Sequence, residues 1–381
     1  MPHIGVLIDT TSNLTSALLS GVNRYIATHH PWRVVIGDRS LDATHPAWLQ
    51  GWRGDGMIAQ IGTQATIDAI LAIGVPAVAV TASRLDHPFP FVGVDDRAVG
   101  RMVAKHFFER GYKNFGLYEL ANATLFEEKC RSFVDTVQAA GHECPVYRST
   151  QSPEKSRNWE RQQGKLAAWV AELPKPAGVM CCTDPLGLSL LDACHRARVA
   201  VPEELAVVGA ENDETVCAMA TPPLSSVDMN GRAIGYEAAG LLSGMMEGQR
   251  PNSRETLVAP LGVFVRQSSD VVAIDNKGVR AALLYIRKHA CEGVTVDDVA
   301  RVTYMSRSTL ERQMASAIKR TPKAEIQRVK FDRVKELLGD TDLPLTAVAK
   351  RAGFEHPQYM SEAFKREFGR TPGEYRRMMQ R

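Results

Sequence analysis

Met360-Ser-Glu-Ala-Phe364-Lys-Arg-Glu-Phe368-Gly-Arg-Thr371-Pro372 sets three large apolar residues four apart and then stops on Thr-Pro. Fifty positions upstream the same arrangement stands as Leu310, Met314, Ile318 and Thr321-Pro322. An i, i+4, i+8 stripe is one face of an α-helix, and proline ends such a helix because it lacks the N–H donor and restricts its predecessor. Each stripe follows a segment with a small residue (Ala300, Ala349) and a short turn. The spacing therefore predicts two helix-turn-helix units, the pattern of a protein that reads DNA.

The charge divides in the same way. Over the whole chain 46 Lys and Arg face 43 Asp and Glu, a net of +3. Residues 279–381 hold 21 of the basic and 13 of the acidic residues (+8), which leaves 25 against 30 (−5) for residues 1–278. Without the helix pattern a solvated basic face would remain an alternative. With it, the asymmetry points to double-stranded DNA as the partner of the C-terminal part alone.

A chain of 381 residues exceeds what one core usually serves, so two or three domains are expected. At 44% apolar and 23% charged the composition is that of ordinary globular protein. Cys130, Cys144, Cys181, Cys182, Cys194, Cys217 and Cys291 are odd in number, lack CxxC spacing and mostly sit in apolar surroundings. Neither a disulfide framework nor a zinc site is expected, and a reducing cytoplasm fits. The histidines are scattered, so no metal cluster and no cofactor are expected. Ile4–Ile8 is strand-length and has no cationic leader, and no apolar run nears the ~20 residues that span a bilayer.

From residue 4 short β-branched runs alternate with helical stretches. The strand candidates are Ile4–Ile8, Trp32–Ile36, Gly56–Ile61, Ala77–Thr81, Phe91–Val94, Asn114–Tyr118, Gly178–Cys182 and Ala206–Gly209. Between them helices are expected at, for instance, Ser16–His29, Ala65–Ile73, Ala98–Arg110, Lys129–Ala140, Trp159–Leu173 and Gly187–Ala197. Continuous apolar strands separated by helices give parallel sheets covered on both faces. Residues 1–265 are thus expected to form two α/β lobes, with chain crossovers near 95, 227 and 250. The polar stretch Arg266–Gly278 is expected to be the linker. Residues 279–381 are expected to be all α.

Phe91-Val-Gly-Val-Asp95-Asp-Arg-Ala-Val-Gly100 and His106-Phe-Phe-Glu-Arg-Gly111-Tyr-Lys-Asn-Phe115 resemble the sugar-binding core of LacI-type repressors and periplasmic sugar-binding proteins. Further matches are Val179-Met-Cys-Cys-Thr183-Asp184, Val201-Pro-Glu-Glu-Leu-Ala-Val-Val-Gly209 and Thr221-Pro-Pro-Leu-Ser-Ser226. The resemblance covers about residues 3–265 and implies a type I periplasmic-binding-protein-like fold, without the N-terminal helix-turn-helix of LacI-type repressors. Residues 279–381 are similar to the DNA-binding domain of the AraC family, through Val299-Ala300, Ser306 to Arg312, Ala349, Gly353-Phe354 and Phe364-Lys-Arg-Glu-Phe-Gly369-Arg-Thr-Pro372-Gly-Glu-Tyr375-Arg376. Lys319 stands where that family usually has glycine, and Met360 where an aromatic is common. A sugar core followed by such a reader resembles bacterial regulators of xylose operons. This implies a homodimer, D-xylose or another pentose as effector, and, by analogy with the AraC family, activation with RNA polymerase as a further partner.

On the first reading helix Ser306 is the expected N-cap. With Leu310 and Met314 turned to the core, Ser308, Glu311 and Arg312 face outward, with Arg307 beside them. Arg312 is suited to guanine and Glu311 to cytosine. On the second, Pro357 fits the first helical position, and His356, Gln358, Ser361 and Glu362 face outward, with Gln358 suited to adenine. Lys330, Arg333, Lys335, Lys365 and Arg366 are candidates for phosphates or solvent. A helix Lys323–Leu338 would hold the two readers about one DNA turn apart.

A sugar needs paired donors and acceptors and an apolar face, and doubly wound sheets offer such groups at the carboxyl ends of strands. Four loops qualify: Asp9-Thr10-Thr11-Ser12-Asn13, Val94-Asp95-Asp96, Thr183-Asp184 and Ala210-Glu211-Asn212-Asp213. The effector candidates are Asp9, Asn13, Asp95, Lys129, Asp184 and Glu211. Lys129 replaces a usual arginine and Met229 a usual glutamine of the LacI-type core. Asp and Asn at such places also cap helices. Trp159 and Trp169 have the spacing of helix core, and Cys181-Cys182 that of buried strand. Several carboxylates in one cleft also suit a glycoside hydrolase, but the chain has no nucleophile or phosphate-loop motif and carries the basic reader. A sugar-binding module for transport or sensing would need neither the reader nor its charge. An effector-controlled transcription factor rather than an enzyme is the expectation.

Overall fold

A computed structural model describes residues 1–9, 12–38, 49, 51–81, 86–121, 126–150, 158–271 and 276–379. Two compact units result, Met1–Asp270 and Val271–Arg381.

The first unit contains two six-stranded sheets. One holds β1 (His3–Ile8), β2 (Arg33–Asp38), β3 (Gly56–Gln60), β4 (Ala77–Val80), β5 (Phe91–Val94) and β11 (Glu255–Val258), in the order β11-β5-β4-β3-β1-β2, all parallel. The other holds β6 (Asn114–Leu120), β7 (Val146–Ser149), β8 (Ala177–Cys181), β9 (Leu205–Ala210), β10 (Ser225–Asp228) and β12 (Gly262–Phe264), in the order β12-β10-β9-β8-β6-β7, with β12 antiparallel. β7, β10, β11 and β12 were not among the strand candidates. They are three or four residues long and carry no continuous apolar run, so periodicity gives no signal for them.

Helices between the strands cover the sheets. They include α1 (Asn13–Thr28), α2 (Gln64–Ile73), α3 (Asp96–Glu109), α4 (Glu127–Ala139), α5 (Trp159–Glu172), α6 (Asp184–Ala197), α7 (Glu214–Met219) and α8 (Gly231–Met246). Several start on a side-chain cap: Ser12 accepts from Thr15 N–H, Asp95 from Ala98 N–H, Thr183 from Leu186 N–H and Asp213 from Val216 N–H. The chain passes between lobes after Val94, after Asp228, and between Val258 and Gly262.

Two helix crossings run backbone against backbone. A Cβ built on Gly235 of α8 would lie 2.0 Å from the carbonyl oxygen of Leu18 on α1. One on Gly100 of α3 would lie 2.4 Å from the carbonyl oxygen of Lys129 on α4. Glycine at 100 therefore sets how closely the helix bearing Lys129 approaches its neighbour.

The polar stretch expected to be linker begins inside the second lobe. Ser268 and Ser269 are fully buried. Ser268 Oγ donates to Val207 O at 2.6 Å, Ser269 Oγ to Ser225 Oγ at 2.8 Å, and His106 Nε2 lies 2.9 Å from Ser269 Oγ. Burial holds the His106 pKa down to about 3, so the ring is neutral in this network. Serine satisfies buried edges as readily as it solvates a linker, and composition alone does not separate the two. Residues 272–275 lie outside the described residues, and Asn276 caps the next helix.

The regular elements among the described residues of the second unit are all helices: α9 (Lys277–His289), α10 (Val296–Val302), α11 (Arg307–Ile318), α12 (Pro322–Asp340), α13 (Leu345–Arg351), α14 (Pro357–Phe368) and α15 (Pro372–Met379), with a 3-10 turn at Ala290–Glu292. The predicted stripes form two cores. Leu310, Met314 and Ile318 pack with Leu283, Ile286 and Val299, whereas Met360 and Phe364 pack with Phe331, Val348 and Phe354. α12 contributes Ile326 to the first core and Phe331 and Val334 to the second, which ties the two helix-turn-helix units together. Lys319 ends α11 in the left-handed conformation (φ 55°), as Gly369 ends α14 (φ 70°), so the departure from glycine keeps the same helix end.

Candidate functional site

A cavity of about 980 Å³ opens between the lobes of the first unit. Such a volume suits a small ligand. The carboxyl ends of the strands bring four of the six effector candidates to it: Asp9 after β1, Asp95 after β5, Lys129 in the first turn of α4 and Glu211 after β9. Thr10 and Thr11 of the first loop lie outside the described residues.

Each group at the wall is held. Asp9 N–H donates to Gln60 Oε1 at 3.1 Å. Asp95 caps α3, accepting from Ala98 N–H at 2.9 Å, and lies 3.5 Å from the Arg101 guanidinium. Lys129 is 3% exposed, and its ammonium lies 4.7 Å from the centre of the Phe126 ring. Burial raises the Glu211 pKa to about 7, opposed first by the positive charge of Lys129. At neutral pH this carboxyl is poised between donating and accepting. Its backbone sits at φ 130° and the following Asn212 at φ 49°, two successive residues in the region that side chains avoid.

Asp184 and Asn13 do not line the cavity. Asp184 is fully buried: one carboxylate oxygen accepts from Ser226 Oγ at 2.5 Å, the other from Asp213 N–H at 2.7 Å and Cys217 Sγ at 3.5 Å. Burial raises its pKa, with the Ser226 bond opposing. Its work is to brace the loop that carries Glu211. Asn13 belongs to the first lobe, and its Nδ2 donates to the carbonyl of Asn212 in the second at 2.9 Å. Asn212 also accepts from Arg266 at 2.9 Å through Oδ1 and donates its N–H to Ser226 Oγ at 3.0 Å. The residue beside Glu211 therefore touches the other lobe, the Asp184 brace and the outgoing chain.

The sequence reading missed Gln60, Phe91, Phe126 and Arg254 on the wall. Gln60 ends β3, and the strand-end rule would have found it. The two phenylalanines supply the apolar face expected for a ring. Met229 lines the cavity too. The tryptophans behave differently from each other: Trp169 lies 5.4 Å from the Tyr147 ring, but Trp159 is 37% exposed with the Arg196 guanidinium 5.0 Å above it. Cys181 and Cys182 are buried, as their apolar run predicts. Among the described residues no group of three His, Cys, Asp or Glu is arranged to hold a metal ion, and no helix is long and apolar enough to cross a membrane.

In the second unit Ser306 caps α11 and Pro357 stands at the first position of α14. Arg307, Ser308 and Arg312 are exposed, and Glu311 is half-buried. Arg307 is committed locally, 3.1 Å from Glu311 and 3.4 Å from Asp297. On α14, His356, Gln358 and Glu362 are exposed. Ser361 is half-buried and donates back to Pro357 O at 2.9 Å. Of the phosphate candidates, Lys330 is turned inward: its ammonium donates to Gly353 O at 2.8 Å.

Residues 104–269 match the periplasmic binding protein-like domain family, and residues 299–378 match a helix-turn-helix domain family. The xylose operon regulatory protein of Haemophilus influenzae is 30% identical over 381 residues, spanning 98% of this chain and 97% of the relative. That of Escherichia coli K12 is 29% identical over 98% of this chain and 96% of its own. Among solved structures, that of the xylose-binding transcription activator xylR superposes with a TM-score of 0.82 at 28% identity, covering 100% of this chain and 99% of that one.

Proposed function

The chain belongs to the family of xylose operon regulatory proteins, and from that premise we propose that it switches transcription in response to D-xylose held between the lobes of residues 1–270. The observation that carries the reading is the cavity wall, where Asp9, Asp95 and Glu211 offer acceptors, Lys129 offers a donor, and Phe91 and Phe126 offer an apolar surface for a sugar ring. Sugar that bridges Asp9 from one lobe and Lys129 or Glu211 from the other favours the closed lobes. Only this difference in affinity between open and closed states can drive the switch.

In the same reading Arg307, Ser308, Glu311 and Arg312 of α11, and His356, Gln358, Ser361 and Glu362 of α14, face the major groove. Arg312 is the main base reader of the first unit, since Arg307 is engaged by two carboxylates. The protein works as a homodimer in the cytoplasm, the effector domain closes before the reader begins at about residue 279, and bound sugar promotes recruitment of RNA polymerase. Gel shifts of the full chain on its own promoter region, titrated with D-xylose, L-arabinose, D-ribose and D-glucose, test this. D-xylose should change the affinity by about 5–150-fold, the usual range of allosteric coupling. Coupling to a different sugar would reject D-xylose while keeping the architecture, and coupling to none would reject the reading.

A further inference from the structure

We infer that Tyr304, in the turn of the first helix-turn-helix, is a contact to the DNA sugar–phosphate backbone. Its side chain is 97% exposed, and among the described residues it makes no hydrogen bond or ring contact. Its backbone is left-handed, at φ 55°. The second unit places Gly353 at the matching point, with φ 75°, four residues after Ala349 as Tyr304 is four after Ala300. Glycine adopts this conformation freely, whereas a bulky residue is strained there. The first unit thus accepts strain to hold an aromatic ring in open solvent. Backbone held in such regions clusters at sites of function.

Position and charge name the partner. Tyr304 stands two residues before Ser306, the cap of α11, and reading helices enter the groove by their N-terminal end. The turn ahead of that end lies over the groove's rim, where the phosphates are. The cations nearby in sequence are already held: Arg301 by Asp298 at 3.0 Å, and Arg307 by Asp297 and Glu311. A phenol is among the groups that bind phosphate oxygens without a charge. The inference rests on the proposed reading of α11 as a groove helix.

The test uses the full chain and two duplexes, one selected by the wild-type protein from a random-sequence pool and one of unselected sequence, with Arg312→Ala as control. Tyr304→Phe and Tyr304→Gly should each weaken binding to both duplexes by a common factor of about ten, because a hydrogen bond to a charged group is lost. The dependence on salt should not change, since no cation is removed. Tyr304→Gly should also melt at a higher temperature than wild type. Arg312→Ala should instead erase the preference for the selected duplex. Unchanged DNA affinity in both Tyr304 variants, including the case in which only transcription falls, overturns the inference and leaves the α11 reading standing. Loss confined to the selected duplex overturns it in favour of base reading. If Arg312→Ala keeps the preference as well, the α11 reading fails.

Discussion

Lys129→Met removes a buried positive charge from the wall of the cavity while nearly keeping the side chain's volume. Lys129 is 3% exposed, and its charge opposes the burial that pushes up both Glu211 and Asp184. Charged groups that sit near one another without forming an ion pair couple by about 0.5–3 kcal/mol, and that coupling is what the variant removes. In a unit of this size each kcal/mol moves the melting midpoint by about 2–4 °C, so the loss at pH 7.5 is on the order of 5 °C. The deficit must shrink at pH 5, where Glu211, with its pKa at about 7, is protonated and needs no cation. Adding Glu211→Gln to Lys129→Met should restore about 1–3 kcal/mol at pH 7.5. All five tryptophans of the chain lie in residues 1–270, so thermal melts followed by tryptophan fluorescence report this unit alone. An equal loss at both pH values, or a double variant that melts with Lys129→Met, would refute the argument.

Glu211→Gln on its own tests the sign of the titration. The folded pKa of about 7 lies above the ordinary 4.5, so stability falls as pH rises from 4.5 to 7; the variant should flatten that slope and be more stable at pH 7.5 by up to about 3 kcal/mol in a denaturant titration. Gly235→Ala forces a methyl to 2.0 Å from Leu18 O and should cost at least about 1–3 kcal/mol, read as an earlier tryptophan transition. Phe364→Ala empties a fully buried site in the second core, at about 3–5 kcal/mol, and should abolish DNA binding in a gel shift without moving the tryptophan melt.

The helices of the reader were legible because their signals are local: a four-residue stripe, a Ser306 cap, and proline at the first position of α12 and α14. The main strands were legible for the same reason, since a buried parallel strand is a continuous apolar run. The candidate site was legible where one loop follows one strand, as at Asp9, Asp95 and Glu211. It was misjudged where chain folded from afar decides the outcome. Asp184 has the sequence of a site loop, but Ser226 and Asp213, 42 and 29 residues away, take its oxygens. Phe126 reaches the wall from just ahead of α4, and no spacing links it to Glu211. Nor does composition reveal that Tyr304 holds a glycine's conformation.

Arg266 bonds at once to the side chain of Asn212 and to Leu224 O, and Ser268 and Ser269 fasten the residues that follow. Four residues are thereby withdrawn from the tether, shortening its reach by up to about 14 Å. Its root lies within the lobe, one guanidinium from the neighbour of Glu211. When that loop shifts, the displacement meets a fixed anchorage instead of being taken up as slack.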